Sequence, residues 1–190
     1  MNDTKIQLNK IIGYLTSKNR HVTKCLLKGI SLPDLQAKLM PYGLDMPVDF
    51  IEMYQCFNGT RIAQGDELDD LHFFPGFYWM SIEDMVSSYK SFQNDPRWNK
   101  SWLPVFANGG GDFYCVVCDK NSPEFGQVIG FMLGEPDSYV EFSNLHIMLT
   151  MISECFSEGI YYVSDGYLEA NYKEAMGVAK NLCPELNFYQ

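Results

Sequence analysis

Residues 102–119 read WLPVFANGGGDFYCVVCD, and this stretch decides the fold. Two apolar runs, Trp102 to Asn108 and Asp112 to Asp119, flank Gly109-Gly110-Gly111. Glycine reaches the backbone angles that a tight reversal needs, and aromatic and branched residues fill both arms, so the stretch predicts an antiparallel hairpin. Gly126 to Leu133 reads as a third strand and Ser138 to Phe142 as a fourth. Strands that follow one another without regular helical alternation define an α+β chain. The expectation is an antiparallel sheet of about four to six strands flanked by helices.

Upstream of the hairpin, Ser81-Ile82-Glu83-Asp84 is a capped helix start, and Asp95-Pro96 ends that helix. Leu71 to Phe74 and Phe77 to Met80 read as short strands around Pro75-Gly76, preceded by an acidic loop over 60–70. Met46-Pro47-Val48-Asp49 opens a helix with Phe50, Met53, Tyr54 and Phe57 inward, and Asn58-Gly59 stops it. Ser31-Leu32-Pro33-Asp34 opens another. Residues 5–17 place Leu8, Ile11, Ile12 and Leu15 on one helical face, and 19–30 read as a linker. Downstream, Ser143 or Asn144 caps a helix with Leu145, Met148, Leu149, Ile152 and Phe156 inward. Ile160 to Val163 reads as a short strand, and Asp165 to Leu182 as a last helix ended by Pro184. The division expected is a basic helix and linker over 1–30 and one domain over 31–190.

Net charge is −10, but residues 1–30 carry +5, leaving −15 on the remainder. A body of that charge repels nucleic acid and draws in cationic partners. No run approaches the ~20 apolar residues of a membrane span, and the first residues lack an apolar signal core, so a cytoplasmic protein is expected. The six cysteines are then expected to be reduced core thiols.

Several stretches, taken in order, resemble the SMI1/KNR4 (SUKH) family. Leu44-Asp45-Met46-Pro47-Val48-Asp49-Phe50 with Tyr54 and Asn58-Gly59 is similar to that family's proline-led helix ending in Asn-Gly. Trp79-Met80-Ser81-Ile82-Glu83-Asp84-Met85 is similar to its strand feeding a capped helix. Trp102-Leu103-Pro104 followed by Gly111-Asp112 matches its Trp-x-Pro hairpin with a Gly-Asp turn, and Gly126-Gln127-Val128 its next strand. The tail from Cys183 to Tyr189 resembles an Asn-Pro plus aromatic ending, with Cys in place of Asn. The resemblance covers about 31–189. It assigns structural roles to Pro47, Asn58, Gly59, Trp102, Pro104, Gly111, Asp112 and Gly126. It implies a binding module, not an enzyme: bacterial members neutralise a cognate toxin, often one acting on nucleic acid, while the fungal founders are regulatory scaffolds.

The residues themselves offer little catalytic chemistry. Cys115 and Cys118 form C-x-x-C, but inside a strand their offset sends them to opposite faces, unlike a zinc knuckle. Asn108-Gly109-Gly110-Gly111-Asp112 lacks the downstream Lys-Ser/Thr of a phosphate loop. His21, His72 and His146 lie on separate elements. Neither a catalytic residue, a metal nor a cofactor is expected.

What does stand out is acid beside aromatics. Asp66, Glu67, Asp69 and Asp70, with Phe77, Tyr78 and Trp79, suit a surface that steers a basic partner and anchors it. Glu135, Asp137, Tyr139 and Glu141 extend that surface. The expected function is therefore an immunity protein that occludes a cognate toxin domain, acting as a monomer or weak dimer without binding nucleic acid or membrane. A non-enzymatic regulatory scaffold is the alternative.

Overall fold

A computed structural model describes residues 3–186. The chain starts with α1 (Asp3–Ser17), whose Leu8, Ile11 and Leu15 are fully buried at one-face spacing. The expected linker is instead ordered. It holds the single turn α2 (Val22–Cys25) and β1 (Leu26–Lys28), which pairs antiparallel with β2 (Phe57–Thr60). Between these strands lie α3 (Leu32–Leu39), capped by Ser31, and α4 (Val48–Cys56), which buries Phe50, Met53 and Tyr54. The helix α4 does stop before Asn58-Gly59, yet that pair sits within β2 and does not form a turn.

The acidic loop closes into one turn, α5 (Leu68–Leu71). No strand covers 71–74. A tight bridge between Phe74 and Phe77 leads directly into β3, which is only Tyr78–Trp79. Helix α6 (Ile82–Phe92) then follows its Ser81 cap.

The central sheet runs β3-β4-β5-β6-β7, all antiparallel, with β4 (Trp102–Ala107), β5 (Phe113–Val117), β6 (Val128–Phe131) and β7 (Tyr139–Phe142). Five strands fall within the range expected. Pro104 lies at a register shift in β4, where a missing N–H costs least. Alternation along the strands gives each face its own aromatic cluster. On one face Phe113 and Phe131 meet Phe92 and Trp98. On the other, Phe106 contacts Phe73 and Phe74, and Phe74 leads on to Phe77 and Tyr114.

Helix α7 (Leu145–Ser157), capped by Asn144, packs along α1, so the N-terminal segment belongs to the same core as the rest. The last expected helix is shorter than its apolar spacing suggests. Residues 161–170 form a hairpin, β8 (Tyr161–Ser164) and β9 (Tyr167–Ala170). Asp165 (φ 50°) and Gly166 (φ 89°) make its two-residue turn, and paired left-handed residues at that point match the twist of the strands. Only then does α8 (Tyr172–Leu182) begin, with Ala175 and Ala179 inward and Tyr172 at the surface. The tail resemblance at Asn187, Phe188 and Tyr189 lies outside the described residues.

Candidate functional site

The family-like residues hold corners. Asn58 Oδ1 accepts the Ile82 backbone N–H at 3.0 Å, and Asn58 Nδ2 donates to Glu83 at 3.3 Å, so β2 caps α6 from a distance. Gly59 (φ 68°) makes this approach possible: a Cβ there would stand 2.1 Å from the Met80 carbonyl oxygen. Asp49 does a similar service for α7, accepting from His146 N at 3.1 Å and from Phe50 N at 2.9 Å. Burial raises the Asp49 pKa, and these N–H groups partly counter the shift. In the Gly-Asp turn, Asn108 Oδ1 accepts from Gly110 and Asp112 N–H, while Asp112 accepts from Leu133 N at 2.8 Å. Gly111 (φ 104°) clears Leu133. Trp102 sits edge-on to Trp98, and Gly126 lies beside Pro47 at the start of α4.

Cys115 and Cys118 are fully buried. Desolvation lifts both thiols well above the ordinary range, which keeps them neutral core groups. Among the described residues no group of three His, Cys, Asp or Glu side chains is arranged to hold a metal ion.

The expected acidic–aromatic surface loses two of its aromatics. Trp79 is fully buried against Tyr54 and Phe73, and Tyr78 is buried as well, so neither is a surface anchor. A two-residue strand running between covered faces leaves no solvent side for them. Asp66, Glu67, Asp69 and Asp70 sit on and just before α5, and none of them lines the groove formed by the remaining acids. Asp66 accepts from Ala63 N at 2.7 Å, and Asp69 faces His72 Nδ1 at 3.4 Å. Burial lowers the His72 pKa, Asp69 opposes that shift and Arg20 adds to it.

Arg20, which is itself buried, donates to the backbone carbonyls of Asp69 and Gly166. The basic N-terminal segment therefore docks on its own chain, tying α5 to the β8–β9 turn.

Glu135, Asp137 and Tyr139 do converge, together with Glu141, on a groove beside β7. Glu141 has the most telling geometry. Val140 pairs with Ile129 and Phe142 with Val128, so Glu141 is the extra residue of a β-bulge on an edge strand. Bulges of this kind re-aim a side chain. Here the carboxylate lies over Gly130, whose missing Cβ would stand only 3.0 Å from Glu141 Cγ. Glu141 is half-buried, and desolvation raises its pKa. Among the described residues no cation pairs with it. The same side chain also borders a second, apolar hollow formed by Phe74, Phe77, Tyr114, Phe142, Tyr161 and Tyr172. Plain strand alternation points to Glu141 from the sequence, but its bulge and its seat on Gly130 depend on pairing register.

The chain is thus an α+β module with corner-setting motifs and an acidic groove at β7. A family model described as the SMI1 / KNR4 family (SUKH-1) matches residues 29–151, and the chain belongs to that family. A comparison with curated proteins finds no match. Among the described residues no helix is long and apolar enough to cross a membrane.

Proposed function

We propose that this protein is a non-catalytic immunity protein that captures a cationic protein partner, a cognate toxin domain, in the groove at β7. The observation that carries this reading is Glu141. A half-buried carboxylate that no cation pairs among the described residues is unfavourable in the free protein, because burial disfavours its charge. A guanidinium or ammonium group supplied by a partner reverses that penalty. Glu135 and Asp137 at the rim add attraction at longer range, and the −15 on residues 31–190 steers the encounter. Enzymes acting on nucleic acid present basic clefts, which such a face complements.

The test is co-expression with a toxin domain encoded beside the gene. Growth rescue and co-purification are expected, and both are expected to weaken with Glu141→Gln. A neighbouring toxin that neither binds nor is neutralised overturns the reading, and so does tight binding insensitive to Glu141.

A further inference from the structure

We infer that the groove reads a two-part determinant, a basic side chain adjacent to a large apolar one, and that a wall outside the family match reads the apolar part. This rests on the reading of Glu141 as the cation anchor. Glu141 is shared by the two hollows. On one side Glu135, Asp137 and Tyr139 line an acidic space of about 420 Å³. On the other, aromatic rings line a space of about 270 Å³. An apolar cavity of about 150 Å³ already admits a benzene ring, so the second space has room for one aromatic or large aliphatic side chain. Because a single residue separates the two, neighbouring side chains of one partner segment fill both.

The walls differ in origin. Gly130, Glu141 and Tyr114 fall within the matched residues 29–151, whereas Tyr161, Tyr172 and Met176 lie beyond them. Tyr172 is 69% exposed and Met176 46%. Four residues apart on α8, they share one helical face, and apolar surface held in water at the lip of a hollow favours a covering group. The cation half therefore lies within the family match, whereas one wall of the apolar half, the wall that discriminates among partners, lies beyond it.

The test selects short random displayed peptides on the full chain and two variants. Wild type is expected to enrich Lys or Arg within two positions of an aromatic, Leu or Met. Tyr172→Ser/Met176→Ser is expected to keep the basic preference and lose the apolar one by about tenfold or more, equivalent to about 1.4 kcal/mol. Glu141→Gln is expected to do the reverse. Both α8 positions are at the surface, and circular dichroism checks that the variant is folded. If wild type shows no basic preference, the proposed function fails and this inference fails with it. If the basic preference holds but the apolar preference survives the α8 changes, or was never present, only this inference fails.

Discussion

Asn58 Oδ1 accepts the backbone N–H of Ile82 at 3.0 Å, across a gap of 24 residues. Ser81 caps the same helix from within, accepting from Asp84 N at 3.1 Å. Two of the four N–H groups left over at the start of α6 are thus satisfied, one locally and one by a neighbouring strand. Asn58→Ala is expected to cost about 1–2 kcal/mol, read as a lower urea midpoint with an unchanged slope. An unchanged midpoint would show the remote cap to be redundant.

Gly59 is held more tightly still. Its φ is 68°, and an added Cβ would meet Met80 O at 2.1 Å and Met80 C at 2.4 Å, both backbone atoms. Neither can swing aside as a side chain would. Gly59→Ala is expected to cost about 3 kcal/mol or more, beyond the usual range for a point change. Thermal unfolding of the variant beside Asn58→Ala checks the ranking.

Glu141→Gln separates stability from binding. Burial raises the folded pKa of Glu141, so the native state binds this proton more tightly than the unfolded chain does. The resulting stability is fully present below the unfolded value of about 4.3 and is lost as pH rises through the folded value. The ionised wild-type side chain bears a desolvation cost that glutamine does not. The variant is therefore expected to be more stable than wild type at pH 7, with the gap narrowing below about pH 4. Denaturant titrations at both pH values measure this directly, and a gap that is equal at both denies the desolvated state of Glu141.

Arg20 joins two elements that are far apart in sequence, reaching the carbonyls of Asp69 and Gly166. A lysine has one terminal donor group and cannot present the same fork. Arg20→Lys is expected to cost about 1–3 kcal/mol. Amide exchange should accelerate most over 161–170, whose turn loses its tether. Uniform acceleration across the chain would show that Arg20 does not act as a local strut.

Thiol labelling tests the core. Cys25, Cys115, Cys118, Cys155 and Cys183 are buried, and only Cys56 is partly open. Burial, with Glu158 and Glu154 nearby, pushes Cys155 up to about 12. Native protein treated with iodoacetamide at pH 8 is expected to label at Cys56 alone, and at all six after denaturation, as read by mass spectrometry. Early labelling at Cys115 or Cys118 would contradict their burial.

The central hairpin and the caps at Ser31, Ser81 and Asn144 were legible because each depends on groups within a few residues. A side-chain oxygen and the N–H three positions on form one local unit. The 161–170 hairpin was also encoded locally, by Asp165-Gly166. Its signal was masked because Leu168, which lies in β9, falls on the same helical period as Tyr172, Ala175, Ala179 and Leu182. Burial of Tyr78 and Trp79 was not legible: two residues carry no alternation that separates an inner face from an outer one.

By itself the chain's residue order determined the α+β class, the central hairpin and the acidic character of the body, since these follow from local pattern and composition. Only the tertiary structure decided which acids act together. Glu141 meets Gly130 through a one-residue register shift, Asp69 is drawn off to His72 and Arg20, and α1 joins the core through α7. Such relations depend on pairing between distant segments, where one residue of slip reverses every side chain, and no local spacing specifies that choice.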